Sequence, residues 1–416
     1  MKDGYIVGLD VGSRMIHVIV AGPSEGEGGG VLTIKSAIMV PSEGIARDSV
    51  ASMDEAARSI VTALERAERA LGVPIETAWV GVSGSYINTR PSKGHISVSK
   101  ANGEISQQDI ERAIDTARTA AMLPNHEILH VIPRMCMIDG QGGIKDPIGM
   151  SGLNLEVDTR IVHGLSTHVK NFTKTIYKTG LDIDDIVFSP LALGDVLLSG
   201  RQKDLGVAIV NIGAATTSVA VFEGGEIYHA SVLPLGSDHI TSDIAIGLRV
   251  SLDAAEKIKM EYGSISERDG AKRGDIQLES IDPHERGTVS GRYIAEIIEA
   301  RVEEIFEKVE DEIRLIGMRG TLPAGIILTG GGSHLPGIVD IAKKKLKLPA
   351  SFARVRDVFT YHDSLLDPSF STALGLAYWG WMQGEKHSKS KRTFFGTAPS
   401  GDAQDRVKKW FRSLLP

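Results

Sequence analysis

One cysteine, Cys136, stands among 416 residues, so no disulfide can close within the chain, as fits a reducing compartment. Long apolar runs are missing. None approaches the roughly twenty residues a membrane-spanning helix needs. Met1-Lys-Asp-Gly passes straight into a strand, without the pattern of a secretory leader. Metal-ligand spacing is missing too: His126 and His130 fall on a segment that reads as strand, with no cysteine or carboxylate partner suitably spaced. Ser83-Gly84-Ser85 lacks the outer glycines of a nucleophile elbow. These absences exclude a disulfide scaffold, an evident zinc centre and an evident serine hydrolase. The length allows two to four domains, and the composition is that of a soluble globular protein.

Charge is unevenly placed. The chain carries −7 overall, yet residues 386–416 hold eight basic side chains against Asp402 and Asp405. An acidic body with a basic tail confines any anionic partner surface to the tail.

A glycine turn between two strands occurs twice. Tyr5-Ile-Val-Gly-Leu-Asp10-Val-Gly12-Ser13 leads into the apolar run Ile16–Ala21. Val207-Ala-Ile-Val-Asn211-Ile-Gly213-Ala-Ala-Thr216-Thr217 leads into Ser218–Phe222. Such turns aim successive backbone N–H groups at one point and suit a phosphate. A third turn, Thr329-Gly330-Gly331-Gly332-Ser333, follows the apolar strand 326–328 and suits a nucleoside. Two facing hairpins and a later glycine turn describe a two-lobed nucleotide cleft. Asp10 would hold a water of a Mg²⁺ shell, since Mg²⁺ keeps several of its waters. Glu256 and Lys259, one helical turn apart, are read either as ribose ligands or as an exposed ion pair.

Between these motifs the sequence predicts alternating strands and helices. Thr33–Val40 reads as strand. Met53–Leu71 reads as a helix capped by Ser52 with Glu55 three residues on, and Gly72 past its end. Ala78–Val82 is strand. Residues 84–164 look like an insertion: strand 94–99, a helix 107–122 capped at Ser106, and strand 127–132. Helix 172–179 and strand 185–188 follow. A second lobe begins near Ser199 and carries strand 226–233. Residues 264–288 read as a polar, loop-rich surface. Arg292–Ile316 reads as one long helix with an apolar stripe at Ile294, Ile298, Val302, Ile305, Val309, Ile313 and Ile316. Lys343–Lys345 read as the solvated face of a short helix, and 383–404 as a flexible linker.

The last segment is the second strong signal. Val407, Trp410, Phe411, Leu414 and Leu415 fall on one helical face, flanked by Arg406, Lys408, Lys409 and Arg412. This is the composition of a helix lying in an anionic membrane interface. A nucleic-acid-reading helix would not need five large apolar residues on one face, so no nucleic-acid partner is expected.

Together these features resemble FtsA, a bacterial cell-division family of the actin/Hsp70/sugar-kinase superfamily. The most specific segments lie in the insertion: Glu127–Pro133, Asp139-Gly140, Ile144–Gly152 and Ile161–Gly164 look like the family's subdomain 1C. Gly236–Ala245 resembles the opening of subdomain 2B, and Ser371–Gly375 the second inter-lobe connection. The resemblance implies an α/β, actin-like two-lobed ATPase fold with an FtsA-type 1C insertion. Lobe 1A would comprise 1–84, 165–198 and 356–382, with 1C at 85–164. Lobe 2A would comprise 199–236 and 318–355, with 2B at 237–317, a linker at 383–404 and the membrane helix at 405–416.

It further implies an ATP site with Mg²⁺ formed by Asp10, Gly12, Ser13, Asn211, Gly213, Thr216, Thr217, Glu256, Lys259 and Gly330–Gly332, with Asp10 as the metal-side ligand. The implied role is a peripheral protein on the cytoplasmic face of the bacterial inner membrane at the division site. There it would polymerise, bind the C-terminal peptide of the tubulin homologue FtsZ, through Arg301 among others, and recruit later division proteins. Two departures predict slow or absent hydrolysis. Met15 stands where the family has lysine, with Arg14 expected on the opposite strand face. Asn211 stands where the family has aspartate, followed by Ala214 and Ala215 in place of glycines. A PilM-like pilus-assembly protein and a small-metabolite kinase share the fold and are the alternatives; neither calls for the amphipathic tail.

Overall fold

The computed structural model describes residues 4–23, 32–47, 49–100, 102–265, 274–355, 358–359 and 367–391. The tail residues 407–415 named above lie outside the described residues. Lobe 1 opens with β1 (Ile6–Val11), β2 (Met15–Pro23), β3 (Leu32–Pro41), the short pair β4 (Ile45–Ala46) and β5 (Ser49–Val50), α1 (Met53–Leu71) and β6 (Thr77–Val82). The insertion follows as β7 (Ile87–Ser97), α2 (Gln107–Ala120), β8 (His126–Ile138), β9 (Gln141–Ile144) and β10 (Asn154–Leu165). The chain returns through α3 (Ser166–Tyr177), β11 (Asp182–Phe188) and α4 (Ser189–Leu197).

Lobe 2 runs α5 (Gly200–Leu205), β12 (Val207–Ile212), β13 (Thr217–Glu223), β14 (Glu226–Leu233), α6 (Ser237–Leu248), α7 (Leu252–Tyr262), β15 (Asp275–Gln277) and β16 (Thr288–Ser290). It continues through α8 (Gly291–Leu315), β17 (Ile326–Thr329), α9 (Ile338–Leu346) and β18 (Ala350–Phe352). β19 (Val358–Phe359) and α10 (Ser371–Lys391) return to lobe 1.

The two lobes repeat one plan. In lobe 1 the sheet order is β11-β6-β1-β2-β3-β19, and in lobe 2 it is β14-β13-β12-β17-β18. Each has an antiparallel meander (β1-β2-β3, β12-β13-β14) with a parallel strand beside its first member, β6 or β17. One apolar core fills lobe 1 and continues onto one face of the lobe 2 sheet through Val207, Ile209, Ala220 and Phe222, a second covers the other face of that sheet beneath α6, α7 and α8, and the insertion has a third between α2 and the sheet β7-β10-β8-β9.

Local chemistry explains the elements. Ser52 Oγ accepts from Glu55 N–H, and Gly72 ends α1 at φ 76°, its N–H donating to Glu68 O. Asp109 accepts from the backbone N–H groups of Ser106 and Ser99, which ties the start of α2 to the end of β7. In α8 the stripe Ile294, Ile298, Val302, Ile305, Val309 and Ile313 is buried.

Some expectations shift. The helix expected at 172–179 begins at Ser166. β8 runs past Pro133 to Ile138, because the strand accommodates the proline at a register shift between Asp158 and Thr159. Within 264–288, Asp275–Gln277 forms half of a short antiparallel pair with Thr288–Ser290. The stretch 383–391, read as linker for its few apolar residues, continues α10. Lys344 and Lys345 do not merely face solvent: they bridge α9 to Glu299, Glu303 and Glu307 of α8.

Glycines set how closely α10 approaches the lobe 1 sheet. A Cβ on Gly8 would lie 2.1 Å from Ala373 O, and one on Gly375 would lie 2.7 Å from Ala192 O of α4. The insertion also touches lobe 2. Thr89 Oγ1 donates to Ala230 O, Arg160 Nε donates to Tyr228 O, and the Arg134 and Arg160 guanidinium groups lie 4.5 and 5.1 Å from the Tyr228 ring centre. Gly8→Ala is expected to destabilise the protein by about 1–3 kcal/mol, because the methyl meets helix backbone that cannot rotate away. Urea unfolding checks this; a midpoint within error of wild type would show that α10 can move off the sheet.

Candidate functional site: the cleft between the hairpins

The turns after β1 and β12 face each other across one cavity. Its wall includes Asp10, Gly12, Ser13, Asn211, Gly213 and Thr216 of the expected set, together with Ala214 and Ala215. The turns are built alike. Gly12 N–H donates to Met15 O at 3.1 Å and Gly213 N–H to Thr216 O at 2.8 Å. A Cβ at either glycine would come within 2.8 or 3.1 Å of that same carbonyl. In the ladders Asp10 sits opposite His17 as Asn211 sits opposite Ser218, so the hairpins present equivalent positions to the cleft.

Asp10 dominates the electrostatics. Its carboxylate is 22% exposed, lies 3.8 Å from His17 Nδ1, and is pushed up to about 7 by burial. His17 supplies no compensating charge, because burial pushes its ring down to about 4. Among the described residues neither nitrogen of that ring has a hydrogen-bond partner. The N–H groups of Ser13, Ala214 and Ala215 likewise take no acceptor among the described residues. An uncompensated carboxylate beside unfilled N–H groups fits a cation and an anion bound together, which is the donor set that Mg²⁺ and a phosphate chain require. Among the described residues no group of three or more His, Cys, Asp or Glu side chains could hold a metal by itself, so Asp10 would act through the ion's waters.

Several expected residues sit elsewhere. Thr217 is buried and its hydroxyl donates to Leu235 O at 2.8 Å, because the strand alternation turns it away from the cleft. Gly330, Gly331 and Gly332 do not line the cavity. Gly330 and Gly332 are buried beside the second turn, where a Cβ on Gly330 would lie 2.3 Å from Asn211 Oδ1 and one on Gly332 2.5 Å from Ile212 Cγ2, and Gly331 is exposed.

Glu256 and Lys259 are not an exposed pair, for Glu256 is half-buried and Lys259 buried. Lys259 is buried and reaches Glu256 at 2.8 Å, Thr241 Oγ1 at 2.8 Å and Ser237 O at 3.3 Å, so its ammonium fastens α7 to α6. Burial alone would raise the Glu256 carboxyl, but hydrogen bonds from Lys259 and Thr241 hold it below its usual range.

Arg14 does not lie on a strand face at all. It precedes β2 and crosses to lobe 2, pairing with Asp238 at 2.8 Å and Glu256 at 3.5 Å. Ser49, Ser83, His168, Ser189, Ser218 and Thr372 also line the cavity and were not expected. For Ser218 the signal was its place opposite Asn211, two residues after Thr216. Tertiary packing alone brings the others in.

The sequence profile described as "Cell division protein FtsA" matches residues 208–375, and that of the "SHS2 domain inserted in FTSA" matches 84–163. The chain is 36% identical to the cell division protein FtsA of Bacillus subtilis over 370 residues, covering 89% of this chain and 82% of that protein. The chain belongs to the FtsA cell-division protein family. Among solved structures, the PilM–PilN type IV pilus biogenesis complex matches with a TM-score of 0.67 at 18% identity, covering 90% of this chain and 98% of that one. MreB5 of Spiroplasma citri bound to ADP matches with a TM-score of 0.54 at 12% identity, covering 95% and 100%. At these identities the likeness establishes the actin-like fold, which this FtsA-family chain elaborates with its insertion.

The shift at Asp10 sets a pH dependence. Its proton is held to about pH 7 in the folded protein but leaves near 4 on unfolding. Its contribution to stability is therefore full below pH 4, falls as pH rises from 4 to 7, and stays lost above. A three-unit shift corresponds to about 4 kcal/mol; opening to the cleft reduces this to about 1–2 kcal/mol. Asp10→Asn should accordingly stabilise the ligand-free protein by about 1–2 kcal/mol at pH 8 and hardly at pH 4. Equal effects at both pH values in chemical denaturation would refute the assignment.

Proposed function

We propose that this chain is a cell-division protein that binds ATP with Mg²⁺ between its lobes, lies on the cytoplasmic face of the bacterial inner membrane at the division site, and tethers FtsZ filaments there. It self-assembles into actin-like polymers and recruits later division proteins. The single observation that carries the reading is membership of the FtsA family over nearly nine-tenths of the chain. The facing turns, the uncompensated Asp10 and the ADP-bound state of the structurally similar MreB5 support the nucleotide. Mg²⁺ would neutralise phosphate charge. Asp10 would hold its water shell, and the turn N–H groups would hold the phosphates. Turnover is slow or absent, because the amide of Asn211 cannot accept a proton from water and Met15 leaves no lysine on the first turn.

Among the described residues no helix is long and apolar enough to cross a membrane. The amphipathic segment Val407–Leu415 would attach the chain, with Lys408, Lys409 and Arg412 on anionic headgroups. The FtsZ peptide would dock where α6 meets α8. Ile246 is 77% exposed and Tyr293 45% exposed. Between them Gly247 lets Ile297 approach, since a Cβ there would lie 2.7 Å from Ile297 Cδ1. Arg249, at the end of α6, forms no ion pair among the described residues and suits an acidic peptide.

Arg301 is not the free anchor its neighbours in sequence imply. Its Nε and Nη2 form a bidentate pair with Asp243 at 2.5 and 2.9 Å, and Nη1 meets Glu304. It holds α8 on α6 and shapes the peptide site from below. Its partner was invisible in helix spacing because Asp243 lies 58 residues away.

Co-sedimentation of FtsZ with anionic vesicles should require this chain. Trp410→Glu with Phe411→Glu should abolish vesicle binding, since each charge opposes insertion of the two largest apolar groups. Persistent flotation of that variant with liposomes would place the anchor elsewhere. Ile246→Glu should weaken binding of an FtsZ C-terminal peptide at least tenfold, read by fluorescence anisotropy at fixed salt, and leave vesicle binding intact. Arg301→Glu would face Asp243 and Glu304 and should lower the thermal midpoint as well as peptide affinity. Unchanged peptide affinity in Ile246→Glu would remove this face from the interaction.

A further inference from the structure

Arg14 is the one side chain among the described residues of the first turn that crosses to the second lobe, and its partners are placed by the second turn. Asp238 N–H donates to Ala214 O at 2.9 Å, and Ser237 N–H donates to Gly213 O at 2.9 Å. The ion pair Arg14–Asp238 thus spans from the residue after Ser13 to the residue seated on Ala214, and both Ser13 and Ala214 line the cleft. Glu256 adds a second carboxylate at 3.5 Å. The guanidinium is 44% exposed and Asp238 is 35% exposed, so neither is locked by packing.

We propose that Arg14 reads the terminal phosphate of a nucleoside triphosphate in this cleft, leaving Asp238 and Glu256 to pair with it. The inference rests on the nucleotide reading above and assigns to Arg14 the cationic role for which the first turn has no lysine. A guanidinium presents two parallel N–H donors that match a phosphate as well as a carboxylate, so the two compete for it. A diphosphate, ending one group short, leaves the clasp on Asp238 closed. A triphosphate opens it and releases α6, still seated on the second turn, from lobe 1; the later residue Asp243 of that helix holds Arg301. Phosphate number in the cleft is thereby transmitted to the α6–α8 face.

Titration with fluorescent ATP and ADP analogues in Mg²⁺ tests this, with the ratio of the two affinities as the readout. Arg14→Ala should lower the ATP-to-ADP affinity ratio at least tenfold. Asp238→Asn should raise it severalfold, because the competing carboxylate is gone; opposite signs from the two ends of one ion pair are not expected of a merely structural clasp. ADP binding by each variant serves as its folding control. An unchanged ratio in Arg14→Ala, or a ratio lowered in Asp238→Asn, overturns the assignment to Arg14 while leaving the nucleotide site standing. Failure of the wild-type chain to bind either nucleotide removes the nucleotide reading and this inference with it.

Discussion

Gly236 lies where a side chain would meet Ala214 O at 2.4 Å and Thr216 N at 2.7 Å, and from that contact α6 sets out with its first N–H groups on the carbonyls of Gly213 and Ala214. The second turn and the start of α6 are therefore one rigid piece. Burial of the turn's carbonyls against a helix start leaves the N–H groups of Ala214 and Ala215 for the cleft. The same seating aims Asp238 at the opposite lobe. A residue larger than glycine at 236 would part the helix from the turn and undo both.

α6 then acts as a beam. At its start it carries Asp238, which meets Arg14 from lobe 1. In its middle Thr241 joins the buried Lys259 and Glu256 of α7, and Asp243 takes the fork of Arg301 from α8. Its end offers Ile246 to solvent. Charged groups that would cost several kcal/mol if buried alone are here each paired, so displacement of one end of the helix is felt by its partners. The insertion contributes a separate brace, since Thr89 and Arg160 bind β14 of lobe 2 directly and limit how the lobes separate on that side.

Much of this was legible in the chain. The paired strand–turn–strand motifs gave the repeated plan of the two lobes, because a buried strand ending in Asp or Asn and glycine leaves few other readings. The apolar stripe of α8 and the capping residues of α1 and α2 fixed those helices almost to their ends, since 3.6-residue periodicity and orphan N–H groups are local properties. Continuous helix through 383–391 was not legible, because polar composition alone resembles a linker.

The site was legible only in part, for the same physical reason. Sequence identified the residues of the turns, whose chemistry is set by neighbours two or three positions away. It could not give the contacts of Thr217, Glu256, Lys259 and Gly330–Gly332, whose surroundings come from segments far along the chain. It could not see that Arg14 spans the lobes to residue 238, or that Arg301 is taken by residue 243. What the sequence by itself determined is the family, through its resemblance in the insertion segments, and the two-lobed plan and the turn chemistry, because the last two rest on local hydrogen bonding and on strand and helix periodicity. What only the tertiary structure decided is which charge meets which, because ion pairs across 58 or 224 positions depend on how helices and lobes pack and not on spacing.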